Sequence, residues 1–164
     1  MKRAIIIDGE SPQRQSLRSI LANEGFEVDE AVDGQKGIAL AREKEDVAVI
    51  FVADRLTGLS GMDTLIAIRK FRPKVPVLML MSAKDRRTGQ LALSRGAAWF
   101  LEKPVNVEDI LVVLRQLMEL RRLHETIDHQ TERLKLLEKQ SSELTRIEAH
   151  DLPAEEIIRD SEFL

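Results

Sequence analysis

The sequence predicts an α/β fold: a doubly wound, five-stranded parallel sheet of order 2-1-3-4-5, followed by a long C-terminal helix. Three observations carry this expectation. Short apolar runs alternate with amphipathic segments at intervals of roughly 20–25 residues, the spacing of right-handed βαβ crossovers. The runs at 3–8, 47–53 and 75–81 are continuously apolar, as central strands covered on both faces must be. The run at 26–30 alternates polar and apolar residues, as an edge strand does.

Each element has a local reason. Residues 3–8 (RAIIID) form the first strand. Ser11 is expected to cap the first helix, with Pro12 at its first position, Leu17, Ile20 and Leu21 as its buried stripe and Gly25 as its stop. The edge strand 26–30 (FEVDE) precedes a short helix capped by Asp33 and bearing Ile38 and Leu40. The run 47–53 (VAVIFVA) is the most apolar strand. Ser60 caps a helix bearing Met62, Leu65, Ile66 and Ile68, which ends before Pro73. After the strand 75–81 (VPVLMLM), Asp85 is expected to cap a helix with Leu91 and Leu93 on its buried side and Gly96 at its end. Residues 97–101 (AAWFL) complete the sheet, and Asn106 caps a helix that opens with Ile110, Leu111, Val113 and Leu114.

Composition narrows the function classes. At 164 residues and 43% hydrophobic, the chain can bury one ordinary core with length to spare. With 25 basic against 28 acidic residues, no electrostatic footprint points to nucleic acid or to an anionic membrane surface. Cysteine is absent, which excludes disulfides and thiolate metal sites. The apolar run near the N-terminus is too short for a signal peptide, and none approaches the ~18 residues of a membrane span. A cytoplasmic location is expected. His124, His129 and His150 share neither a face nor metal-ligand spacing, so zinc is not expected.

In a sheet of this order the ligand crevice lies beyond the carboxyl ends of the strands. Those ends carry Asp8, Gly9 and Glu10 after the first strand, Ala53 and Asp54 after the third, Ser82 after the fourth and Lys103-Pro104 after the fifth. Acids, a hydroxyl and an ammonium converging on one crevice suit a phosphoryl group and a divalent cation.

Across roughly residues 2–122 the sequence resembles the receiver domain of bacterial response regulators. The matching pieces are IIIDGE (5–10), GFEVDEAVDGQKGI (25–38), LTGLSGMDTL (56–65), VPVLMLMSA (75–83) and GAAWFLEKP (96–104). The resemblance implies phosphotransfer signalling, in which a histidine kinase phosphorylates an aspartate at the end of the third strand. Acids after the first strand hold Mg²⁺, Ser82 and Lys103 stand at the phosphate-sensing positions, and Phe100 at the switch aromatic. It also implies a cis Lys103–Pro104 peptide. Counted back from LTGLSG, however, the phosphoacceptor position is Ala53; the second acid of the first strand is replaced by Gly9, and Thr57 stands where the family has proline. Asp8 is then the single matching metal ligand, with Glu10 beside it, so no metal and no cofactor are expected. Neighbouring strand residues face opposite sides, which makes Asp54 a solvated loop acid. The loop beyond a strand relaxes that rule, leaving the alternative of a working receiver that uses Asp54 with Mg²⁺. Lys103 is expected to pair with Asp8 or Glu10, Phe100 to act in packing, Trp99 to be half-buried or to serve a partner surface, and 83–89 to form a solvated connector.

The remainder reads as one long helix. Residues 119–164 contain no glycine, and Leu120, Leu123, Ile127, Leu134, Leu137 and Leu144 follow alternating steps of three and four, interrupted at Gln130 and Ser141. Such a stripe suits a parallel homodimer; folding back onto the first domain is the alternative. The expected organisation is a receiver-like domain over 1–122, its last helix extended as a coiled coil over 106–149, and 150–164 as a tail or the start of an output domain. The function expected is a non-enzymatic signalling module without a phosphoacceptor, coupling a dimer to an output domain or protein partner, with a histidine kinase implied by the resemblance. A phosphatase-like enzyme ranks below both receiver readings.

Overall fold

The structure, a computed structural model, describes residues 2–82 and 86–151. Five strands alternate with five helices: β1 (Arg3–Ile7), α1 (Ser11–Asn23), β2 (Glu27–Ala31), α2 (Gly34–Glu43), β3 (Val47–Ala53), α3 (Gly61–Phe71), β4 (Val77–Met81), α4 (Arg86–Ser94), β5 (Trp99–Glu102) and α5 (Val107–Asp151). The strands form one parallel sheet of order β2-β1-β3-β4-β5, the predicted topology. The chain divides into two compact units, Met1–Met118 and Glu119–Leu164.

Alternation along each strand sorts the core of the first unit into two layers. Ile5, Ile7, Ile50, Val52, Val77, Met79 and Met81 pack with Leu65, Ile68, Ala41 and Ala92 from α2, α3 and α4. Ala4, Ile6, Val49, Phe51, Leu78, Leu80 and Leu101 face the other way, against Leu17 and Leu21 of α1 and Ile110, Val113 and Leu114 of α5. Every residue of β3 is buried, which explains why its sequence shows no alternation.

The helix starts follow side-chain caps at Asp33, Ser60 and Asn106, whose oxygens accept from the backbone N–H of Lys36, Asp63 and Glu108. The first helix differs from expectation: Glu10 is its N-cap, without a side-chain bond, and Ser11 is already helical. Proline fits the first turn at either of its two opening positions, because neither N–H has an intrahelical acceptor, so Pro12 did not fix the start. The expected cap Asp85 lies outside the described residues. Residues 86–89 of the expected connector form the first turn of α4.

The buried side of α4 is also not the one expected. Leu91 and Leu93 are exposed, and the helix presents Gly89 and Ala92 to the sheet. A Cβ at Gly89 would lie 2.8 Å from Cζ of Phe100, so the aromatic ring of β5 occupies the space that a larger helix residue would fill. Phe100 is partly buried there, in packing.

In the second unit the helix runs unbroken through His150 to Asp151, beyond the expected break after residue 149. The expected output-domain start otherwise falls on 152–164, outside the described residues. No described helix is long and apolar enough to cross a membrane.

Candidate functional site at the carboxyl edge of the sheet

The side-chain parity of the strands builds the site. Asp8 follows Ile6, Ala53 follows Phe51, Ser82 follows Leu80 and Lys103 follows Leu101, so all four continue the face that packs on α1 and α5. Their strands end at the same edge and leave them beside one another.

Asp8 and Lys103 form the centre of this arrangement. Lys103 Nζ is 2.8 Å from Asp8 Oδ2, with side chains only 6% and 1% exposed, and 3.8 Å from Glu10 Oε1. The close contact is misaligned for a directional hydrogen bond, so charge holds it. Asp8 Oδ1 accepts from the Glu10 N–H at 2.9 Å, and the Asp8 carbonyl accepts from Arg14 Nη1 at 2.8 Å. The expected pairing of Lys103 is therefore made chiefly to Asp8. The Lys103–Pro104 peptide is cis.

Ala53 ends β3 fully buried and has no side-chain oxygen. Gly9 follows Asp8, and a Cβ there would meet only the Val32 carbonyl, at an ordinary 3.5 Å, so space for a side chain exists.

Asp54 departs from expectation. It is not a free loop acid: Oδ1 accepts from Ser82 Oγ at 2.7 Å and from the Arg55 N–H at 2.8 Å, while Oδ2 accepts from the Ser82 N–H at 3.1 Å. By parity Asp54 belongs to the opposite face, but β3 has already ended and the backbone turns. The turn is tight, since Gly61 N donates to the Asp54 carbonyl at 3.1 Å and a Cβ on Gly61 would lie 2.0 Å from the Ala53 carbonyl. Only glycine permits that approach. The site thus separates into two sets: Lys103 with Asp8 and Glu10, and Ser82 with Asp54. Among the described residues no three acidic or histidine side chains converge as a metal cluster. With Asp8 committed to Lys103 and to the Glu10 N–H, the residues present do not fit a Mg²⁺ site.

The seam residues Leu120, Leu123, Ile127, Leu134, Leu137 and Leu144 lie along the second unit's helix, each 50–61% exposed. Leu136 and Ile147 are equally exposed but fall off the three-four stripe; sequence reasoning passed over them for that reason.

A doubly wound sheet with an acid, a hydroxyl and a cis-proline lysine at its carboxyl edge defines a receiver-like signalling class. The chain belongs to the response regulator receiver domain family, whose profile matches residues 4–115. It is 34% identical over 116 residues to the probable transcriptional regulatory protein TcrX of Mycobacterium tuberculosis, covering 70% of this chain and 48% of that protein. NtrX from Brucella abortus superposes with a TM-score of 0.72 at 27% identity, covering 78% of this chain and 29% of that one. A CheY-like receiver domain from Methanospirillum hungatei has the same fold, with a TM-score of 0.71 at 24% identity over 76% of this chain and 98% of that one. The chain spans about half or less of the length of the first curated relatives it matches.

Proposed function

We propose that this receiver module signals without accepting phosphate. In this reading the acceptor position is Ala53, and the module works as a non-enzymatic, cytoplasmic interaction and dimerisation unit that couples to an output domain or protein partner. The observation that carries it is the end of β3: the buried Ala53 has no oxygen nucleophile, and the lysine at the same edge of the sheet is already paired with Asp8. Gly9 supports the same reading, because a direct metal ligand is missing although a side chain would fit. Transfer from a histidine kinase would need an acceptor oxygen, which the Ala53 side chain lacks, and acidic side chains to hold a cation, one of which is replaced by Gly9.

The specific competitor is phosphorylation at Asp54. Its carboxylate is engaged by three donors and stands apart from the Lys103 set, which argues against it. Incubating the full chain with a small phosphodonor and Mg²⁺, followed by intact-mass measurement, tests the reading. No mass gain is expected; a stable gain of one phosphoryl group, abolished by Asp54→Asn, refutes it.

The second part of the reading is a parallel homodimer through the helix after Met118. Exposed Leu120, Leu123, Ile127, Leu134, Leu137 and Leu144 would be buried between two copies, with Gln130 and Ser141 meeting their own counterparts and fixing the register. In that register Arg133 faces Glu138 of the second copy, an attraction repeated by symmetry. Solution mass of the full chain against a chain ended at residue 118 tests this; a monomer in both cases rejects it.

A further inference from the structure

Ser82 is the first residue after β4, and both its N–H and its O–H are turned back onto a single carboxylate, that of Asp54 just past β3. Arg55 N–H gives that carboxylate a third donor. The backbone of Asp54 is fastened as well: its N–H donates to the Leu80 carbonyl at 2.9 Å and its carbonyl accepts from Gly61. Three donors around two oxygens, two of them backbone N–H groups, constitute a small anion site, and hydrogen bonds to a charged acceptor are the strong ones. Nothing in the chemistry of Ser82 requires a carboxylate from 28 residues away. A loop acid would ordinarily remain solvated unless these donors repaid its desolvation.

We infer that Asp54 is the resident ligand of an anion site formed by Ser82 N–H, Ser82 O–H and Arg55 N–H, an internal tether that fixes the end of β4 without an added phosphoryl group and thereby steadies α4, the next helix in the chain. The inference rests on the reading that Ala53 supplies no acceptor, and it adds what fills the hydroxyl's bonding instead. The next described element after Ser82 is α4. That helix buries only Gly89 and Ala92, and Gly89 lies directly on the Phe100 ring. Asp54 is thus a positioning residue: it acts through Ser82 on how firmly the start of α4 is held.

Hydrogen exchange on the full chain, compared among the unaltered protein, Asp54→Ala, Ser82→Ala and the double variant, tests the tether. Asp54→Ala is expected to accelerate exchange at the Ser82 amide and in residues 86–94 by about tenfold or more, since the loss of even one charged hydrogen bond corresponds to about that factor. Ser82→Ala removes only the hydroxyl bond and should give a smaller change in the same residues. The double variant should match Asp54→Ala, because both changes sever one link. Exchange in β3 at Val49–Val52 serves as the check that the fold persists. Unchanged exchange in residues 86–94 of Asp54→Ala, or additive effects in the double variant, overturns the inference. The same samples carried through the phosphodonor and mass assay separate the two ideas. A phosphoryl gain at Asp54 defeats the phosphate-independent reading, whereas no gain together with unchanged exchange defeats only the tether.

Discussion

Replacing Lys103 with methionine while leaving Asp8 in place strands a carboxylate that is 1% exposed. At 2.8 Å and an effective dielectric of about 20, the gross attraction is about 332/(20 × 2.8), or about 6 kcal/mol. Desolvation of both ions offsets much of it, so the net value of the pair is far smaller than the cost of breaking it. Glu10 is the other acid near Lys103, and being largely exposed it keeps its hydration when the lysine is lost. Lys103→Met alone should therefore destabilise the protein by about 3 kcal/mol or more, while Asp8→Asn with Lys103→Met, which leaves no buried charge, should cost only about 1 kcal/mol. Urea unfolding monitored by Trp99 fluorescence measures both, provided the slope of free energy against urea is unchanged. A Lys103→Met cost below about 1 kcal/mol, or a double variant as unstable as the sum of its singles, would refute the argument that this pair is buried, coupled and held by charge.

Adding carboxylates should add chemistry: Gly9→Asp with Ala53→Asp is expected to gain one phosphoryl group from a small phosphodonor and Mg²⁺, read by intact mass, against no gain expected for the unaltered chain. Arg133→Glu alone should weaken the proposed dimer through like charges facing Glu138, and adding Glu138→Arg should recover it, as measured by sedimentation; equal mass for all three chains rejects the pairing. Gly89→Ala brings a Cβ within 2.8 Å of the Phe100 ring, so it should destabilise the native background by about 1 kcal/mol. With Phe100→Ala the same change should stabilise by up to about 1 kcal/mol through helix propensity, and the reversal of sign in urea unfolding is the check.

The sheet was legible because its central strands are buried on both faces, leaving apolar runs that only a parallel α/β core accommodates. Boundaries differ from expectation by at most about two residues, and Asp33, Ser60 and Asn106 cap where their side-chain chemistry places them. The family resemblance was legible for the same reason, through pieces anchored at strand ends. What escaped the sequence was decided by close approach. The inner side of α4 consists of Gly89 and Ala92, residues with almost no hydropathy, so the periodicity of Leu91 and Leu93 pointed to the wrong face. The engagement of Asp54 depends on a backbone turn after Ala53, and side-chain parity holds only while the strand lasts. Gly61, set eight residues beyond Ala53, was the available sign that the chain folds back sharply there.

The helices on the α2–α3 side are fastened by arginine. Arg72 donates to the carbonyls of Ala41 and Lys44, each at 2.9 Å, and the guanidinium of Arg42 lies 4.7 Å from the centre of the Phe71 ring. These clasps answer carbonyls that the end of α2 leaves without partners, a task no shorter cation performs from that distance. Sequence drift therefore has unequal consequences around the sheet: Arg72 and its neighbours tolerate little change, whereas the exposed Leu91 and Leu93 of α4 can be exchanged to suit a new neighbour while the architecture beneath them stays as it is.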